Sequence, residues 1–148
     1  MVCIANAHLS VEPVPAHAHH RLLTVSYDVT IDPTDPEAAH PAHERVVVRS
    51  VDLHDAPVPP APLEVELADG VVHLGAGFHR RRHATSVARV DLDVGRDWWD
   101  TGLSGETVPL SEFPDHLVAL VELSIDGAVH ASATSEVVTG SWGPLGSG

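Results

Sequence analysis

The sequence predicts an all-β domain, an antiparallel sandwich of two sheets with seven or eight short strands, immunoglobulin-like in size. Three observations predict it. Apolar residues alternate with polar ones in several short stretches, most cleanly at Leu117, Ala119, Val121 and Leu123. Asp-Gly, Gly-x-Gly and Pro-rich segments punctuate those stretches at strand-like intervals. No stretch of ten residues carries the period of an amphipathic helix, and no internal repeat is visible. The Cys and Trp signature of antibody domains is absent, so the likeness is architectural, and architecture does not imply function.

In chain order, residues 1–20 read as an N-terminal arm in which Ile4 to Val11 makes an edge strand that Glu12-Pro13-Val14-Pro15 stops. Residues 21–140 read as the sandwich domain. Its first strand sets Leu23, Val25, Tyr27, Val29 and Ile31 on one face and Thr24, Ser26, Asp28, Thr30 and Asp32 on the other. Asp32-Pro33 breaks that strand, and a polar loop runs through His43. Glu44 to Asp55 resumes a strand in which Val46-Val47-Val48 suits either face, Val51 and Leu53 set the inward phase, and a bulge is expected near Arg49 or Ser50. Pro57 to Pro62 reads as an extended connector. Leu63 to Leu74 reads as a hairpin with Asp69-Gly70 as a two-residue turn, pairing Leu67 with Val72 and Val65 with Leu74.

Gly75-Ala76-Gly77 ends that strand, and His79-Arg80-Arg81-Arg82-His83 reads as an exposed basic turn. The next strand has Ala88, Val90, Leu92 and Val94 inward, and residues 95–116 read as irregular. The closing hairpin, Leu117 to Thr139, is expected to turn through a three-residue loop, Ile125-Asp126-Gly127, with Gly127 at positive φ. That loop pairs Leu123 with Val129, Val121 with Ala131 and Ala119 with Ala133, whereas a two-residue loop would oppose Leu123 with His130. Residues 141–148 read as a flexible tail, of which Gly143-Pro144-Leu145-Gly146-Ser147-Gly148 resembles an expression-vector linker.

Charge narrows the classes of partner. The chain has no Lys, eight Arg and 21 acids, for a formal charge of −13, so duplex DNA and anionic membrane are excluded as partners. Abundant Ala, Val, Asp and Arg give a composition like that of actinobacterial, high-GC coding. The sequence is histidine-rich: protonating all twelve His would take the charge from −13 to −1. Self-association is therefore expected to rise as pH falls toward the sequence pI of 5.1. The single Cys3 can form no disulfide within the chain. The first residues carry no basic and apolar leader pattern and no apolar run is long enough to span a bilayer, so the expected compartment is cytoplasmic.

Two groups of residues could carry chemistry. His17 and His19, two apart on a strand, share a face, and His20 or the His40-Pro41-Ala42-His43-Glu44 loop could complete a site for Zn, Cu or Fe. Around His79 to His83 the three arginines oppose a bound cation, since a unit charge at 4 Å costs ~1 kcal/mol even in water. Arg80, Arg81 and Arg82 instead suit carboxylate or phosphate forks, and read either as a surface for an acidic protein partner or as cations that balance the chain's own neighbouring acids. In Asp97-Trp98-Trp99-Asp100, continuing the phase of Val90, Leu92 and Val94 puts Trp98 in the core and leaves Trp99 as an exposed interface anchor. No nucleophile elbow, phosphate-cradling Gly loop or zinc-ribbon spacing occurs.

Pro15-Ala16-His17-Ala18-His19, followed by Asp69-Gly70-Val71-Val72-His73-Leu74-Gly75-Ala76-Gly77-Phe78-His79, is similar to the two motifs of the cupin family. The resemblance implies a metal (Zn, Fe, Mn or Cu) held by His17, His19 and His79. No Glu follows His19 at the family's spacing, Asp-Gly stands for Gly-Asp, and Gly75 stands for a Pro. Two readings follow. The leading one is a non-catalytic sandwich that needs no cofactor and binds a protein partner, forms a homo-oligomer or joins a larger complex. The alternative is a small cupin-like metalloprotein or metalloenzyme.

Overall fold

Eight strands account for nearly all of residues 1–15, 17–50, 64–88 and 115–140, which are those the computed structural model describes. They are β1 (Val2–Val14), β2 (His17–Ile31), β3 (Ala42–Ser50), β4 (Glu64–Val72), β5 (Gly77–Ala88), β6 (Asp115–Ile125), β7 (Ala128–Thr134) and β8 (Val138–Gly140). One 3-10 turn, Pro36–Ala39, lies in the Pro-rich loop. All pairings among these strands are antiparallel, in two sheets. Sheet A has the order β1-β2-β5, and sheet B the order β4-β3-β6-β7 with β8 following β7 along the same edge of β6. The chain is thus an antiparallel two-sheet β-sandwich. No helix among the described residues is long and apolar enough to cross a membrane.

The core follows from alternation. On β2, Leu23, Val25, Tyr27, Val29 and Ile31 are buried, and across the sandwich so are Leu117, Ala119, Val121, Leu123 and Ile125 of β6. β3 adds Ala42, Val46 and Val48, and β1 adds Val2 and Leu9. Each such side chain contributes about 1.5–3 kcal/mol when fully withdrawn from water. β1 pairs with β2 along nearly its whole length, so the strand expected within the arm is longer than Ile4 to Val11 and forms one edge of sheet A. Asn6, at φ 56°, sits in a bulge opposite Tyr27. Between β7 and β8, the buried Ser135 replaces the missing ladder: the Ala119 amide donates to Ser135 Oγ at 2.9 Å, and the Ser135 amide donates to the Ala119 carbonyl at 2.9 Å.

Four local expectations are corrected. Asp69-Gly70 makes no turn, because β4 runs straight through it and pairs with β3 from Ala42 opposite Val72 to Arg49 opposite Glu64. A hairpin there would have left one edge of the central strand β3 unpaired, and ladder bonds along a whole strand outweigh one local turn preference. The bulge lies in β4, where Leu67 is the extra residue opposite Val46-Val47, and not at Arg49 or Ser50.

The closing hairpin turns through two residues, Asp126 at φ 51° and Gly127 at φ 81°, with Ile125 opposite Ala128. The conflict foreseen for a short loop is relieved by a bulge that loops out His130, so Leu123 faces Ala131 and Val121 faces Ala133. Finally, His79 to His83 is no turn; it lies wholly within β5. The expectations for Val51 to Leu63, for the strand through Val90, Leu92 and Val94, for Trp98 and Trp99, and for residues 141–148 fall outside the described residues.

Candidate functional site on the two faces of strand β5

Because β5 is a strand, alternation splits its basic run between two environments. β5 pairs with β2 in register, setting Arg81 opposite Tyr27 and His83 opposite Val25, on the face that looks into the sandwich. From the opposite sheet, β3 presents Glu44 to the same space, flanked by Leu123 of β6 and Gly70 of β4. The Glu44 side chain is 3% exposed, a buried charge in an otherwise apolar layer. Arg81 forks onto it, Nε donating to Oε2 at 3.0 Å and Nη2 to Oε1 at 2.9 Å. The Tyr27 hydroxyl donates to Oε2 as well. His83 Nε2 stands 2.9 Å from Oε1, but off the line a hydrogen bond requires.

The electrostatics follow from this geometry. Burial by itself pushes the Glu44 carboxyl up, but hydrogen bonds from Arg81 and Tyr27 and the nearby His83 outweigh it and hold the pKa at about 2. Burial, then the adjacent Glu44, push the Tyr27 phenol far above its usual range. The hydrogen-bonded Glu44 also raises the already strong basicity of Arg81. The group is therefore Glu44 carboxylate, Arg81 guanidinium and neutral Tyr27 at any physiological pH. Chemically it is a clasp between the sheets, with both carboxylate oxygens engaged by side chains of the opposite sheet.

The other face of β5 looks away from the core and carries Phe78, Arg80 and Arg82, with Thr30, Asp28 and Ser26 of β2 as their cross-strand neighbours. Phe78 is 63% exposed. Arg80 donates through Nε to Asp28 Oδ1 at 3.1 Å, yet its side chain stays 74% exposed. Hydrogen bonds from Asn6, then Arg80, hold the Asp28 carboxyl below its ordinary range. Arg82 is exposed and has no hydrogen bond or ion pair among the described residues. Elsewhere, Arg45 and Arg49 both reach Glu64.

The structure thus separates the predicted partner residues: Arg80 and Arg82 point outward, Arg81 inward, and Trp99 lies outside the described residues. It does not bring the three cupin-like histidines together. His79 is level with Val29, whereas His19 and His17 lie about 33 and 40 Å away along the same strand. His79 Nε2 is 2.8 Å from the Gly75 carbonyl oxygen. No group of three or more His, Cys, Asp or Glu among the described residues is gathered as metal ligands would be.

A hollow of about 450 Å³ opens at the turn end of sheet B, lined by Pro41, Ala42, His43, Val71, Ser124, Asp126 and Gly127. Asp69 pairs with His43 at its rim, and Ser124 is the cross-strand neighbour of His43. Among the described residues Ser124 makes no hydrogen bond to His43, so the relay a nucleophile needs is not assembled there.

Sequence reasoning placed Glu44 in a loop that could complete a metal site, and missed both its burial and the inward role of Arg81. The signal was available in phase: Ala42, Glu44, Val46 and Val48 fall on one face, as do His79, Arg81, His83 and Thr85.

Comparison with known proteins adds the fold alone. No protein-family model and no curated protein matches the sequence. Among solved structures, the chain is similar to a glycosyl hydrolase family 2 member from Bacteroides cellulosilyticus, with a TM-score of 0.50 and 10% identity over 93% of this chain. It spans only 15% of that enzyme's length. It also aligns with the putative ApaA protein of Bordetella pertussis, at a TM-score of 0.39 and 10% identity, covering 98% of this chain and 95% of that one. For the sporulation control protein Spo0M of Bacillus subtilis the TM-score is 0.37 and the identity 12%, covering 93% of this chain and 48% of that one. These likenesses are to β-rich domains.

Proposed function

We propose that the chain is a non-catalytic β-sandwich module that binds a protein partner or joins a larger complex, with the outward face of β5 as its contact surface. One observation carries the reading. On a chain of charge −13, Arg82 stands exposed without an acid partner among the described residues, beside the exposed Phe78 and the displayed Arg80. An exposed aromatic next to arginines able to fork onto carboxylates is the composition of an interface anchor. The buried Glu44 clasp supports the same reading, since it holds β5 against the opposite sheet and so presents a rigid surface. The partner is a protein, because the net charge opposes nucleic acid and anionic membrane. No cofactor is needed for this role.

A photocrosslinking residue placed at Ser86, on the same face, tests it in native lysate against one at Ser132 on the opposite sheet. The expected result is a discrete protein adduct from position 86 only, lost in Arg82→Glu. Equal adducts from both positions, or none, would remove the proposal. Near-stoichiometric Zn, Fe, Mn or Cu in the purified, untagged protein would favour the cupin-like alternative instead.

A further inference from the structure

We propose that β5 takes up an extended, acidic segment of a partner protein as a new outermost strand of sheet A; this rests on the partner-binding role of the same face. Among the described residues β5 is the last strand of its sheet. An antiparallel strand bonded on one side keeps half of its amide and carbonyl groups for the other. That side is open. The inward side chains of Arg81 and His83 remain 28% and 21% exposed, while Tyr27 and Val25 beside them on β2 are sealed. On the facing sheet, Gly70 of β4, the cross-strand neighbour of Glu44, is similarly uncrowded, with no heavy atom within 4 Å of where a side-chain carbon would sit.

Side chains decide which strand fits. Phe78, Arg80 and Arg82 lie two residues apart, about 7 Å from one to the next. An incoming antiparallel strand therefore meets them with two acids at alternate positions followed, two places on, by an apolar residue. Each acid opposite an Arg can form a charge-assisted fork, and the intervening residues would face the same side of the sheet as Arg81 and His83.

A second copy of β5 fits poorly. Antiparallel pairing centred on Arg81 would set Arg80 of one copy against Arg82 of the other, like charge on like charge. The edge is thus protected from self-pairing by the charges that favour an acidic strand. Arg80 is also preset for this role, its Nε held by Asp28 while the rest of its guanidinium faces outward.

The test uses a fluorescein-labelled peptide of about ten residues with glutamates at two alternate positions and a leucine two places beyond. It is compared with a scrambled peptide of the same composition, and with the same sequence N-methylated at the amides that would join the ladder. Anisotropy measures affinity, and amide hydrogen exchange across residues 77–88 reports pairing. The proposal expects the alternating peptide to bind at least about tenfold more tightly than either control. It also expects added protection of β5 amides, and at least about tenfold weaker binding in Arg80→Gln with Arg82→Glu. Equal binding of all three peptides, abolished in that variant, would overturn strand addition while leaving the contact surface intact. Binding indifferent to the variant, or self-association with newly protected β5 amides and no peptide binding, would overturn both.

Discussion

Arg81 and Arg82 are adjacent and chemically identical, yet one strand alternation gives them opposite surroundings. Arg81 is turned inward, forked onto a buried carboxylate, in a space where both charges have lost most of their water. Arg82 is turned outward, hydrated and without an acid partner among the described residues. The contrast shows that register, not residue type, decides whether a cation is paired inside the fold or displayed on its surface. A buried partner removed leaves an uncompensated charge, at a cost of several kcal/mol, whereas an exposed arginine adds ~0–1 kcal/mol to stability and can be committed to binding.

The largest expected effect tests the inward half of this contrast. Arg81→Ala strands the Glu44 carboxylate, and should lower unfolding stability by about 3–5 kcal/mol, read as a shift of the urea midpoint. A loss under ~1 kcal/mol would mean that water reaches Glu44 and the clasp is not buried.

Acid gives the next effect. The folded-state pKa of Glu44 is depressed to about 2 from a model-peptide value near 4.5, so between these pH values the unfolded chain binds the extra proton. Stability from this group is full above about pH 5 and is lost as pH falls toward 2, amounting to about 3 kcal/mol in all. Urea titrations at pH 6, 4 and 3, compared between wild type and Glu44→Gln, should show that slope in the wild type and a flatter one in the variant.

A smaller effect calibrates local strain away from β5. Gly127→Val, at φ 81°, should cost over ~1 kcal/mol, while Gly70→Val, in extended backbone with open space around it, should cost less. Equal urea midpoints for the two variants would mean that the hairpin turn is not as described.

The legible parts of the chain were those where one face is apolar and the other polar. Leu23 to Ile31 and Leu117 to Ile125 could be assigned an inward face from alternation alone, and with them the two-sheet class. β5 was illegible because both its faces are polar: His79, Arg81, His83 and Thr85 give no hydrophobic contrast with Arg80, Arg82, Ala84 and Ser86, so the run read as a turn. Its partner Glu44 was hidden for the same reason, a charge occupying an inward position that binary patterning reserves for apolar residues. Of the two Asp-Gly pairs, one turns and one does not, because Asp69-Gly70 is held by a neighbouring strand along its whole length and Asp126-Gly127 is a free chain reversal. Turn chemistry is a local preference, and pairing across a sheet overrides it.

One paired measurement addresses the proposed division of β5 into a structural face and a recognition face. Arg81→Ala and Arg82→Ala are each assayed for urea stability and for affinity toward the alternating acidic peptide. The expected result is a double dissociation at temperatures where both variants are folded. Arg81→Ala should lose several kcal/mol of stability and little affinity, and Arg82→Ala should stay within about 0.5 kcal/mol of wild-type stability while binding at least about fivefold more weakly. Parallel losses in both variants, or a stability loss confined to Arg82→Ala, would contradict it.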